Sequence, residues 1–79
     1  MITPVQCRMA RAAVGWGVRD LAAKSGISFS TVTRFENGAT TPNGATLQVI
    51  RRAFEDAGVE FLPSGGVQLR EQPAEAEAS

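Results

Sequence analysis

Apolar positions along the chain fall into four helical patches and then change period. Thr3-Pro4-Val5-Gln6 has the form of a helix start, with Thr as N-cap, Pro in the first turn and Gln three residues after the cap. Val5, Met9, Ala12 or Ala13, and Trp16 follow at helical spacing and predict one apolar face. Gly15 and Gly17 bracket the Trp and end that helix. A short second helix is predicted over VRDLAAKS, with Leu21 and Ala22 inward and Gly26 as its stop. Ser28 is a good N-cap for a third helix, FSTVTRFEN, whose inward residues are Val32 and Phe35, three apart. Asn37-Gly38 ends it with residues that tolerate positive φ.

After a loop, ATTPN, a fourth helix opens at Asn43 or Gly44 and runs to about Ala57. Leu47, Ile50, Phe54 and Ala57 form its stripe, and Gly58 closes it. Beyond Gly58 the pattern turns extended. VEFL and VQLR, joined by Pro63-Ser64-Gly65-Gly66, predict a hairpin. Val59, Phe61, Val67 and Leu69 share one face of it, which needs a cover. A lone two-stranded hairpin is marginal, and its open edges invite pairing. A homodimer built on these four residues and the exposed side of the fourth helix is therefore expected.

Composition narrows the function. The chain has 79 residues, 43% apolar and 20% charged, which suits one globular domain with a modest core. It contains one Cys, Cys7, and no His, so the familiar metal clusters and His-activated nucleophiles cannot be assembled. The carboxylates are scattered, and neither catalytic nor metal-binding residues nor a cofactor are implied: an enzyme is not expected. Cys7 reads as an inert helix residue. No long apolar run suggests a membrane span, Met1-Ile2-Thr3 leads directly into a helix start, and a cytoplasmic location is expected. Formal charge is zero, but residues 1–70 hold eight basic and five acidic residues, a net of +3. The EQPAEAEAS tail (residues 71–79) carries the remaining three glutamates and is expected to be disordered.

The second and third helices, residues 18–36, have the spacing of a helix-turn-helix. Ala22 is small where the next helix crosses it, Gly26 takes the turn, and Ile27 fills the corner. The free side of the third helix carries Ser28, Phe29, Ser30, Thr33 and Arg34. These are mostly short hydrogen-bonding side chains, as entry into a major groove requires. The string Val18-Arg19-Asp20-Leu21-Ala22-Ala23-Lys24-Ser25-Gly26-Ile27-Ser28, then Val32, then Phe35-Glu36-Asn37-Gly38, resembles the XRE/Cro-like, lambda-repressor-type DNA-binding family over residues 3–58.

The resemblance implies a mainly α, four-helix domain over residues 1–58. The extended dimerisation segment, residues 59–70, would replace the family's fifth helix. It implies a dimeric transcription regulator that reads inverted repeats in double-stranded DNA with its third helix. Ser28, Phe29, Ser30, Thr33, Arg34 and Asn37 would face DNA, with Thr40 and Thr41 in the following loop. Arg11 and Glu36 match an internal ion pair between the first and third helices. Two departures stand out. Val18 stands where many relatives have a Gln that touches a phosphate and braces the first residue of the third helix, here Phe29, and Ala39-Thr40-Thr41 lacks the usual basic residues. Phe29 is read three ways: packed on Val18, against a thymine methyl, or on a protein partner. The regulator expected is a repressor of a compact operon and of its own gene; a second function, a protein-interaction module such as an antitoxin or anti-activator, stays open beside it.

Overall fold

The computed structural model describes residues 1–70; the expected disordered tail, residues 71–79, lies outside them. Four helices are followed by two short strands: α1 (Pro4–Val14), α2 (Val18–Ser25), α3 (Phe29–Glu36), α4 (Gly44–Asp56), β1 (Val59–Phe61) and β2 (Val67–Leu69). The strands pair antiparallel, with Val59 opposite Leu69 and Phe61 opposite Val67.

Local chemistry sets most boundaries. At α1 the Thr3 hydroxyl accepts from the Gln6 amide at 3.1 Å, and the Thr3 amide donates to Gln6 Oε1 at 2.9 Å. This reciprocal pair satisfies two of the donors a helix start leaves free. Asn43 caps α4 by accepting from the Thr46 amide at 2.9 Å. Gly17 opens α2, and its amide donates to Asp20 Oδ2 at 2.8 Å.

The core consists of Ile2, Cys7, Ala10, Leu21, Val32, Phe35, Leu47, Ile50, Phe54 and Val59. Phe54 lies at its centre, stacked on Trp16 with ring centroids 5.5 Å apart and edge-on to Phe61 at 6.1 Å. Three expectations are corrected here. The buried face of α1 is Gln6, Cys7 and Ala10, while Val5, Ala12 and Ala13 are exposed and Met9 is half-buried. Ile2, just before the cap, enters the core and fixes which way α1 rolls, as apolar residues flanking an N-cap do. Ala57 lies beyond the end of α4 and is exposed rather than part of its stripe.

The third correction concerns the hairpin face. It packs onto α1 and α4 of its own chain. Val59 is fully buried, and Phe61 and Val67 are packed against the core. Of the four residues expected at a dimer contact, only Leu69 remains open, at 54% exposure. The cover that the alternating strands require is supplied within the protomer.

Candidate nucleic-acid interface

The α2–α3 unit is assembled by a few short-range contacts. Gly26 closes α2 with φ +75°, and its amide donates to the Ala22 carbonyl at 2.9 Å. A Cβ there would meet no atom within 4 Å, so the preference for glycine comes from the left-handed backbone alone, about 1–2 kcal/mol. Ser25, which sequence reasoning passed over, ties the turn. Its hydroxyl donates to the Leu21 carbonyl at 2.7 Å and accepts from the Ile27 amide at 3.1 Å. Ser28 then caps α3, accepting from the Thr31 amide at 3.2 Å.

Helix α3 has two distinct sides. Val32, Phe35 and Glu36 are buried against the other helices. Ser30, Arg34 and Asn37, spaced four and then three residues apart, are exposed along the opposite side, with Phe29 at its N-terminal end. Such spacing places them in one row. Ser28, Thr40 and Thr41 are also exposed, at the two ends of the helix. The loop bends back over the end of α3, with the Ala39 amide donating to the Arg34 carbonyl at 2.9 Å.

Thr33 departs from the row: it is half-buried, and its hydroxyl oxygen is buried with no hydrogen-bond partner. The sequence offered no signal for this, because the orientation of a β-branched hydroxyl depends on the neighbouring helix. Val18 is half-buried and packed against the core. Arg19 lies over the Phe29 ring, its guanidinium carbon 4.8 Å from the centroid. Arg51 pairs with Glu55 at 2.9 Å and lies over the Phe61 ring at 5.2 Å, so it belongs to the α4–hairpin contact.

Behind the exposed row lies a polar anchor. Arg11 Nε and Nη2 donate to the two Glu36 carboxylate oxygens, both at 2.7 Å, and Nη1 donates to the Trp16 carbonyl at 3.1 Å. The Cys7 thiol donates to Glu36 Oε2 at 3.1 Å, and Arg8 donates to the Glu36 backbone carbonyl. Side-chain exposure is 20% for Arg11 and 5% for Glu36. Burial alone would raise the Glu36 pKa. The hydrogen bonds from Arg11 and Cys7, with the positive charges of Arg11 and Arg8, outweigh it and hold the carboxyl below its ordinary value. Burial and the adjacent carboxylate push the Cys7 thiol well above its ordinary value. Cys7 is therefore a fully buried member of this network, not merely an inert helix residue. The anchor ties α3 to α1 through Glu36, whose backbone lies one residue before Asn37.

A short glycine turn, a supporting helix, and a second helix with one buried and one open side define a helix-turn-helix. A family model described as helix-turn-helix matches residues 8–55, most of the chain. The chain belongs to the XRE/lambda-repressor-like helix-turn-helix family, a class of DNA-binding regulatory domains. No curated protein matches it significantly. No helix among the described residues is long and apolar enough to cross a membrane.

Proposed function

We propose that the chain is a sequence-specific transcription regulator, a dimeric repressor acting on a compact operon and on its own promoter. One observation carries this reading: Ser30, Arg34 and Asn37 form an exposed row on α3, while Val32, Phe35 and Glu36 fix the opposite side. A helix held in this way can enter a major groove without rolling. Arg34, in the last turn, has the five-donor fork that pairs bidentately with guanine O6 and N7. Ser28 and Ser30 serve neighbouring bases or phosphates, and Asn37, Thr40 and Thr41 meet the backbone. Phe29 lies where the first base pair of a half-site would pass. Thr33 would turn its hydroxyl toward DNA, giving a partner to a group that has none in the free protein. Two such helices in a dimer would read half-sites about one helical turn, ~34 Å, apart.

The neutral loop at Ala39-Thr40-Thr41 limits non-specific attraction, because uncharged donors release few counterions. Binding should therefore depend more on sequence than is usual for a strongly basic domain. A protein-partner role is favoured by one feature, the open Leu69 beside unpaired hairpin edges. A mobility-shift titration of the full chain on its own promoter, against an unrelated duplex at the same salt, separates the two. Saturable binding to the promoter with a clear preference over the control supports regulation. Equal, weak binding to both duplexes refutes it and moves the partner role ahead.

A further inference from the structure

Arg19 lies in the first turn of α2, where a cation faces the positive end of the helix dipole and gains nothing from it. Among the described residues it forms no ion pair. Its one identified contact is the face of Phe29, which opens α3, with the guanidinium carbon 4.8 Å from the ring centroid. That distance is well within the ~6 Å range of a cation–π contact. Both side chains are exposed, Phe29 at 45%. A ring left this open buries little apolar area. Apart from their mutual contact, packing accounts for neither residue.

Resting on the DNA-binding reading above, we infer that Arg19 is a phosphate-binding residue and that the Phe29 ring is its positioning platform. A guanidinium stacked on a ring keeps its five N–H donors around its rim, free to grip a phosphate oxygen pair. The stack holds the long side chain in place before DNA arrives, which reduces the ordering entropy lost on binding. The location fits. Arg19 leads α2 and Phe29 leads α3, so the pair stands at the end of the open row opposite Asn37 and the loop. The exposed side of α3 is thereby flanked by a backbone contact at each end: neutral donors after Gly38, and one charged donor at Arg19. Val18 supplies no such group, since it is half-buried and apolar. The charge is supplied one residue later and is held by a ring rather than by an amide.

The test is a salt-dependent binding series on the promoter fragment, using the full chain, Arg19→Ala, Phe29→Leu and the double variant, with thermal melts in parallel. For a phosphate contact, Arg19→Ala should weaken binding roughly tenfold per protomer and lower the log–log salt slope by about 0.9 per protomer. The loss should be similar on operator variants, because phosphates carry no sequence information. Melting should fall by no more than the few degrees an exposed cation–π contact carries, and the fall in salt slope is the readout that a merely structural role would not move. For the platform, the Arg19→Ala loss should shrink several-fold in the Phe29→Leu background, since Arg19 is no longer held there. If the parent binds and Arg19→Ala leaves the salt slope unchanged, Arg19 touches no phosphate and the inference fails. If the slope falls but the two substitutions are additive, the platform role of Phe29 fails. If the parent binds no DNA, the proposed function itself falls, which is a distinct outcome.

Discussion

Replacing Arg11 by Met removes the cation but keeps most of the apolar stem. It deletes two 2.7 Å charge-assisted bonds to Glu36 and a 3.1 Å bond to the Trp16 carbonyl. Glu36, 5% exposed, would be left with the Cys7 thiol as its only side-chain donor. Breaking one partner of a buried pair typically costs ~3–5 kcal/mol. An upper bound follows from protonation, by which the stranded carboxyl can escape its charge. Taking up a proton at neutral pH costs about 1.4 kcal/mol per pH unit above the ordinary value of 4.5. The electrostatic loss is thus limited to roughly 3 kcal/mol, with about 1 kcal/mol more for the orphaned Trp16 carbonyl. For a domain of this size 1 kcal/mol moves Tm by ~4–8 °C, so Arg11→Met should melt many degrees below the parent at pH 7, by up to about 30 °C if the full loss is realised.

The pH dependence gives a second signature. In the parent the lowered Glu36 pKa contributes stability that is fully present above 4.5 and is lost as pH falls below it. In the variant the stranded carboxyl titrates higher, and its penalty grows as pH rises. The gap between parent and variant should therefore narrow steadily from pH 7 toward pH 4.5. Denaturant unfolding followed by circular dichroism at several pH values measures it. Parental melting would show that the anchor does not hold α3 to α1, and a deficit that does not change with pH would show that Glu36 is not the group left stranded.

Three further outcomes are expected. Cys7, its pKa raised above the ordinary 9.0, contributes stability that is complete below pH 9 and is lost as pH rises and the unfolded thiol ionises; unfolding curves from pH 8 to 10.5 should fall by up to ~1.4 kcal/mol per pH unit, and less steeply for Cys7→Ala. Thr33→Val removes a buried, unpartnered hydroxyl, so the free protein should gain about 1 kcal/mol in denaturant unfolding while affinity for the promoter falls. If the proposed dimer uses the hairpin face, Leu69→Asp should leave the melting of the protomer nearly intact but shift sedimentation of the proposed dimer toward monomer, because Leu69 is the open residue on that face; a parent that sediments as a monomer, or a dimer that survives the substitution, contradicts that interface.

Helix boundaries were readable because their causes are local: Thr3 with Gln6, Gly26 and Asn43 act within four residues of themselves. The helix-turn-helix frame was readable for the same reason, since Leu21, Gly26, Val32 and Phe35 set its geometry through spacing alone. The roll of α1 was not. Val5, Met9 and Ala13 form as regular a stripe as the buried one. The buried stripe contains Gln6 and Cys7, whose burial depends on a cap and on a carboxylate from another helix. The same limit hid the Arg19–Phe29 stack and the orphaned Thr33 hydroxyl, both set by how α2 and α3 cross. It also hid the cover of the hairpin. Alternation in Val59, Phe61, Val67 and Leu69 declares that one face is buried but does not say against what.

The most direct test of groove reading by α3 is the affinity of parent and Arg34→Ala for a set of operator variants, each changed at one base pair, at fixed salt. Loss of a bidentate guanine contact should cost ~1–3 kcal/mol per half-site and flatten the preference at one position. Thr41→Ala, in the adjoining loop, should weaken all variants about equally. Arg34→Ala binding the natural promoter as tightly as the parent, with every base preference intact, would contradict the assignment of α3 as the reading helix.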